Sequence, residues 1–228
     1  MTVAHGAGGT ARVTLIRGAD LVAAPWKNGG GMTREVAAFP SRSSGQREAP
    51  GDFVWRVSVA EVAQAGPFSR FEGVDRTLVL LSGVGMLLDE LDDAEVVKSH
   101  ALKQPLDVAR FDGEARIEAR LIDGATRDFN LMVRRDLALG VLDVWRCEAK
   151  RAASHMIEGD VVLLYCASGS VALGLGLASG VEAEAEKEAT QLQLETGDTL
   201  RIDIPRALTC TLEGTGAVLA ISIRYTRR

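Results

Sequence analysis

Short runs of branched apolar residues, separated by Gly, Pro and Asp, recur along this chain. Runs of that kind bounded by turn formers read as β-strands. They predict strands at Arg12–Arg17, Phe53–Val59, Thr77–Leu88, Glu95–Val97, Ala115–Leu121 and Phe129–Arg134. Further strands are expected at Gly140–Cys147, Asp160–Ala167, Ser170–Leu177, Gln191–Leu194, Thr199–Ile204, Ala207–Leu212 and Gly216–Tyr225. Helical periodicity is nearly absent. Glu182–Ala189 (EAEAEKEA) fits a short helix, and its strict alternation fits an exposed hairpin arm equally well. Ser41–Gly51 (SRSSGQREAPG) reads as a loop between two early strands.

The pattern also repeats weakly. TLVLLSGVGMLL (77–88) resembles VVLLYCASGSVALGL (161–175), and each is followed by a Gly-centred turn into a strand and a second Gly turn into a closing strand. A repeat of that kind in a strand-rich chain predicts two fused jelly-roll units, divided as 1–135 and 136–228. The fold class expected is all-β.

Composition narrows the function classes. A formal net charge of −5 leaves no electrostatic footprint for a nucleic acid. No window has the length of apolar residues a membrane helix needs, and MTVAHGAGGTARV is not a signal peptide, so a cytoplasmic protein is expected. The cysteines, Cys147, Cys166 and Cys210, are odd in number and lack paired spacing, which predicts buried thiols in a reducing compartment. His5, His100 and His155 lie far apart with no partner ligand at a usable spacing, so no histidine-held metal and no cofactor are expected.

Polar chemistry is concentrated in four segments. WKNGGGMTRE (Trp26–Glu35) carries three successive glycines; its amides could cradle an anion, or the run is simply a tight loop. In DFVWRVSVAE (Asp52–Glu61), strand alternation puts Trp55, Val57 and Val59 on one face and Arg56, Ser58 and Ala60 on the other. Arg56 then serves either as a bidentate clamp for a carboxylate or as half of a salt bridge with Glu35 or Asp75. GPFSRFEGVDR (Gly66–Arg76) is turn-rich, with Phe68 and Phe71 as anchors and Asp75 and Arg76 leading into an apolar strand. DFNLMVRR (Asp128–Arg135) places Asn130, Met132 and Arg134 on one strand face, where Asn130 contacts a ligand or caps a turn.

In order and combination these segments resemble the HutD/Ves family: W-x-N-G-G-G-x-T-R-E, F-x-W-R-x-S-x-A, G-x-F-S-x-F-x-G-x-D-R and D-F-N-x-M-x-R. The motifs lie within the first 135 residues; beyond Asp136 the likeness is one of β pattern and length. The resemblance implies a bicupin-like pair of double-stranded β-helices, of the RmlC-like jelly-roll kind. A metal-binding cupin would carry two His and a Glu ahead of its VLxG segment, and GPFSRFEGVDRTLVLLSG has no His. It further implies a link to histidine utilisation or to stress. The implied ligand is a small carboxylate metabolite such as urocanate or N-formylglutamate. Carried over position by position, the pocket candidates are Asn28, Thr33, Arg34, Glu35, Trp55, Arg56, Ser58, Phe68, Asp75, Arg76 and Asn130.

The leading reading is a non-catalytic binder of such an acid. A metal-free enzyme acting on the same acid, with Glu35 or Asp75 as acid or base, is the second reading. The third is an interaction protein, possible as a homodimer. No histidine lies near Ser58 or Ser69, and no thiol sits in a motif, which leaves no hydrolytic triad or cysteine nucleophile to propose.

Overall fold

The computed structural model describes residues 2–3, 11–40, 52–149, 151–177, 191–203 and 208–226. Among them the chain forms strands and a single short 3-10 turn at Gly18–Asp20, with no α-helix. In chain order the strands begin with β1 (Thr2–Val3), β2 (Ala11–Ile16), β3 (Ala23–Pro25), β4 (Gly31–Pro40), β5 (Phe53–Val62) and β6 (Gly66–Pro67). Next come β7 (Val74–Ser82), β8 (Met86–Asp92), β9 (Glu95–Leu102), β10 (Val108–Asp112), β11 (Arg116–Leu121) and β12 (Thr126–Arg134). The series ends with β13 (Ala138–Cys147), β14 (Ala153–Ile157), β15 (Val161–Leu177), β16 (Gln191–Glu195), β17 (Thr199–Asp203) and β18 (Leu208–Tyr225). The expected Ser41–Gly51 loop and Glu182–Ala189 arm lie outside the described residues. No described helix is long and apolar enough to cross a membrane.

Two compact units emerge, residues 21–139 with 226–228, and residues 1–20 with 140–225. The expected boundary after residue 135 is therefore displaced, and the described residues before Leu21 change sides. The reason is pairing: β2 runs antiparallel to β17, from Thr199 opposite Ile16 to Asp203 opposite Arg12. Asp198 reinforces the join by accepting from the Gly18 amide (3.0 Å) and from Arg17 Nη1 (2.6 Å).

The 21–139 unit is a sandwich of a six-stranded sheet, β10-β7-β12-β5-β4-β3, and a four-stranded sheet, β6-β11-β8-β9. Its core draws Val62, Leu78, Leu80, Ala109 and Phe111 from the first sheet and Met86, Leu88, Leu102, Ile117 and Ala119 from the second. The predicted strand Thr77–Leu88 is in fact two, since the chain turns at Gly83 and Gly85, both at positive φ, and passes from one sheet to the other.

In the other unit, β15 and β18 are the long central strands. The two strands expected at 160–177 are one continuous β15, irregular between Cys166 and Ser168. Gly169 and Gly216 face each other there, and a Cβ on either would run into the carbonyl of Thr215 or of Ser168. Both halves of β15 feed one core: Val162, Leu164 and Cys166 from the first, Val171 and Leu173 from the second. Cys147, Cys166 and Cys210 are buried free thiols in it. Burial pushes Cys166 up to about 11 and Cys210 up to about 12, so at neutral pH these thiols are packing groups rather than nucleophiles.

Candidate functional site

Residues directly opposite each other on paired strands share a face, so register decides which polar side chains can meet. One row across the six-stranded sheet reads Glu35, Ser58, Asn130 and Leu78. The row beside it reads Ala38, Arg56, Met132, Arg76 and Phe111. A third, on the other side, reads Thr33, Ala60, Asp128 and Leu80. Leu78, Leu80 and Phe111 belong to the core between the sheets, so all three rows face inward. Arg56 and Arg76 thus stand on one face with only Met132 between them.

Arg56 lies in a half-exposed position and donates from Nε to Glu35 Oε2 at 2.9 Å. Its two Nη groups have no partner among the described residues. The salt bridge and the clamp, set as alternatives by the sequence, are therefore compatible.

Arg76 is buried, with 6% of its surface exposed. Its Cζ lies 5.3, 5.8 and 5.0 Å from the ring centroids of Phe68, Phe71 and Phe111, and Nη1 donates to the Ser69 carbonyl at 3.2 Å. Aromatic faces stabilise a guanidinium without competing for its hydrogens. Its Nε has no partner. Burial pulls the group down to about 10, against the opposing pull of Asp128, and Arg56 lowers it further.

Asp128 is 1% exposed, and neither carboxylate oxygen has a hydrogen-bond partner. Burial pushes its pKa up to about 7, with the Arg76 charge acting the other way. Asn130, two residues on and facing the same way, is also buried with its Oδ1 unpartnered. Alternation along DFNLMVRR puts Asn130 and Met132 on this face, and carried back two residues it reaches Asp128, which is not among the expected pocket residues. His100 is another that spacing alone does not single out. It sits opposite the core residue Leu88 on β9, its ring 6.1 Å from Phe111 and its Nε2 buried without a partner. Burial first and Lys98 second lower its pKa, which favours the neutral ring.

The Gly-rich loop forms the wall of a recess of about 210 Å³ lined by residues including Trp26, Asn28, Gln64 and Phe68. Trp26 meets Phe68 edge-on at 6.4 Å and donates from Nε1 to Thr33 Oγ1 at 2.7 Å, tying the recess to the inner face. The amides of Gly29 and Gly30 are engaged within the loop itself. Gly29 N donates to the Trp26 carbonyl (3.0 Å) and Gly30 N to Asn28 Oδ1 (3.1 Å). Asn28 therefore shapes the loop. Gly31 is required because a Cβ would strike the Glu61 carbonyl and approach the Trp26 ring to 3.2 Å.

Three expected pocket residues face the other way. Trp55 is fully buried on the opposite face, stacked on Phe39 at 6.5 Å, and so does not wall this site. Arg34 pairs with Glu61 on that face. Asp75 is exposed and pairs with Arg135 at 2.7 Å, which removes it as an acid or base for a ligand on the inner face. Strand parity is the reason: each is an odd number of residues from an inward neighbour. Among the described residues no three of His, Cys, Asp or Glu converge as metal donors. Two guanidiniums on one face suit an anion.

The HutD family model matches residues 18–220. The chain belongs to the HutD family. A Pseudomonas putida relative known by its place in the 3′ region of hutC is 40% identical over 121 residues, covering 53% of this chain and 58% of its own. Protein Ves of Escherichia fergusonii is 41% identical over 110 residues, covering 48% and 51%. This HutD-family chain thus spans little more than half the length of these curated relatives. The solved structure of HutD from Pseudomonas fluorescens SBW25, obtained in a formate condition, superposes with a TM-score of 0.73 at 26% identity over 95% of this chain and all of that one. A Bacillus subtilis oxalate decarboxylase, 10% identical with a TM-score of 0.58, shares the jelly-roll fold alone.

Proposed function

We propose that this HutD-family protein binds a small carboxylate metabolite on the inner face of its 21–139 unit, and that it works as a non-catalytic binder reporting on or limiting a catabolic flux. The observation carrying the reading is the placement of Arg56 and Arg76 on one inward face, flanking Met132. Arg56 commits only Nε to Glu35, which leaves a fork of donors of the shape a carboxylate accepts. Ser58 and Asn130 occupy the adjacent row. The hutC neighbourhood of one relative and the formate condition of a solved HutD favour an acid of histidine breakdown, such as urocanate or N-formylglutamate.

Thermal shift tests this with urocanate, N-formylglutamate, glutamate, histidine and formate. A ligand at a hundred times its Kd stabilises by about 2.7 kcal/mol, a shift of several degrees. One acid is expected to give that shift in the wild type and none in Arg56→Ala; no shift with any acid overturns the reading. Catalysis on the same acid is the second reading, favoured by the buried, proton-poised Asp128. Turnover of the bound acid, lost in Asp128→Asn, would replace the binder with an enzyme.

A further inference from the structure

Resting on that reading, we infer that the ligand of the inner face has two chemically distinct ends: a carboxylate held by Arg56, and a nitrogen bearing an N–H, received by Asp128 with Asn130 beside it. The guanidiniums of the inner face belong to the row of Arg56 and Arg76, and the acceptors without a hydrogen-bond partner belong to the rows of Asn130 and Asp128. Arg76 acts on Asp128 by charge without hydrogen-bonding it, and its own Nε is unpartnered too. Both acceptor residues are more than nine-tenths buried. A buried polar group without a partner costs stability and is rare in native proteins. Here two such groups sit two residues apart on β12, on the same face and therefore about 7 Å apart along the strand. An ionised carboxylate only accepts, so what satisfies Asp128 must donate. A second carboxylate there would meet repulsion; an amide, imidazole or ammonium nitrogen would not.

The span agrees with a small molecule. The Arg56 and Asp128 rows are four residues apart along the sheet, about 13 Å at strand rise. An extended arginine side chain and one small acid together have that length. The facing sheet supplies Met86, Leu88, Leu102, Ile117 and Ala119 around this part of the core, none of which titrates. Arg76 is the charged group that acts on Asp128. Arg56 and Glu35 share its face of the same sheet, and His100 lies opposite Leu88 on the edge strand of the facing one. Receiving an N–H favours the ionised Asp128, so binding at pH 6, below its value of about 7, expels a proton to the buffer.

Calorimetric titration tests the division of labour with matched pairs: urocanate against 3-(3-furyl)acrylate, and N-formylglutamate against its N-methyl derivative. Each second member keeps the carboxylate and lacks the N–H. In the wild type the N–H member of the accepted pair is expected to bind roughly tenfold tighter or more, the worth of a hydrogen bond to a charged group. Asp128→Leu, which removes a buried charge and leaves the carboxylate end intact, is expected to bind both members equally and to release no proton. Equal binding of both members by the wild type, or an unchanged preference in Asp128→Leu, overturns this inference and leaves the carboxylate reading standing. Failure of all four acids to bind overturns this inference, and with no shift from glutamate, histidine or formate either it overturns the carboxylate reading as well.

Discussion

A buried carboxylate without a hydrogen-bond partner destabilises the fold once it ionises, and Asp128 meets that condition within the neutral range. Its folded pKa of about 7 lies above the unfolded value near 3.8. The stability it allows is complete below the unfolded pKa and is lost as pH rises through the folded one. Between pH 5 and pH 8 this residue alone should cost the wild type about 3 kcal/mol, an upper figure from two pH units at ~1.4 kcal/mol each. Asp128→Asn should lack that slope, and urea unfolding at the two pH values measures it. Gly31→Ala is a second residue-scale case: its methyl meets the Glu61 carbonyl and the Trp26 ring, and a loss of about 1–3 kcal/mol is expected in the same assay. At this scale the sequence was readable wherever alternation alone decides. Arg56 and Ser58 separate from Trp55 by parity in one strand. Arg34 and Asp75 could not be assigned, because an inward or outward direction exists only once β4 and β7 are paired with their neighbours.

Elements were legible in existence more than in extent. A branched apolar run announces a strand, but the continuity of β15 through Ser168 and Gly169 depends on what lies across from it. Gly169 takes a φ of 78° and sits against the Thr215 carbonyl. Gly169→Ala should therefore lose about 2 kcal/mol or more, from strain and collision together, with a lowered midpoint in denaturant. In β4, Gly31 and the polar run after it read as a loop; pairing with β5 along its length makes a strand of them.

At the scale of the whole molecule, Asp198 carries much of the link between the chain's start and its second unit. It is 5% exposed and accepts from Gly18 N, Arg17 Nη1 and Glu195 N. Asp198→Ala leaves two backbone amides without their acceptor, so a loss of about 2–3 kcal/mol is expected. Amide exchange should accelerate in β2 and β17 and stay unchanged in β5 and β12. By itself the sequence determined the β class, the repetition of two jelly-roll units, the family motifs and the alternation that unites Arg56 with Ser58, because these depend on local pattern and residue order. Only the tertiary structure decided that the described residues before Leu21 belong with the second unit, that the Gly29 and Gly30 amides are already engaged, and that Asp128 lies buried near Asn130 without a hydrogen-bond partner. Those depend on which strands pair, and pairing between distant segments is set by the packing of the whole core rather than by neighbours in the chain.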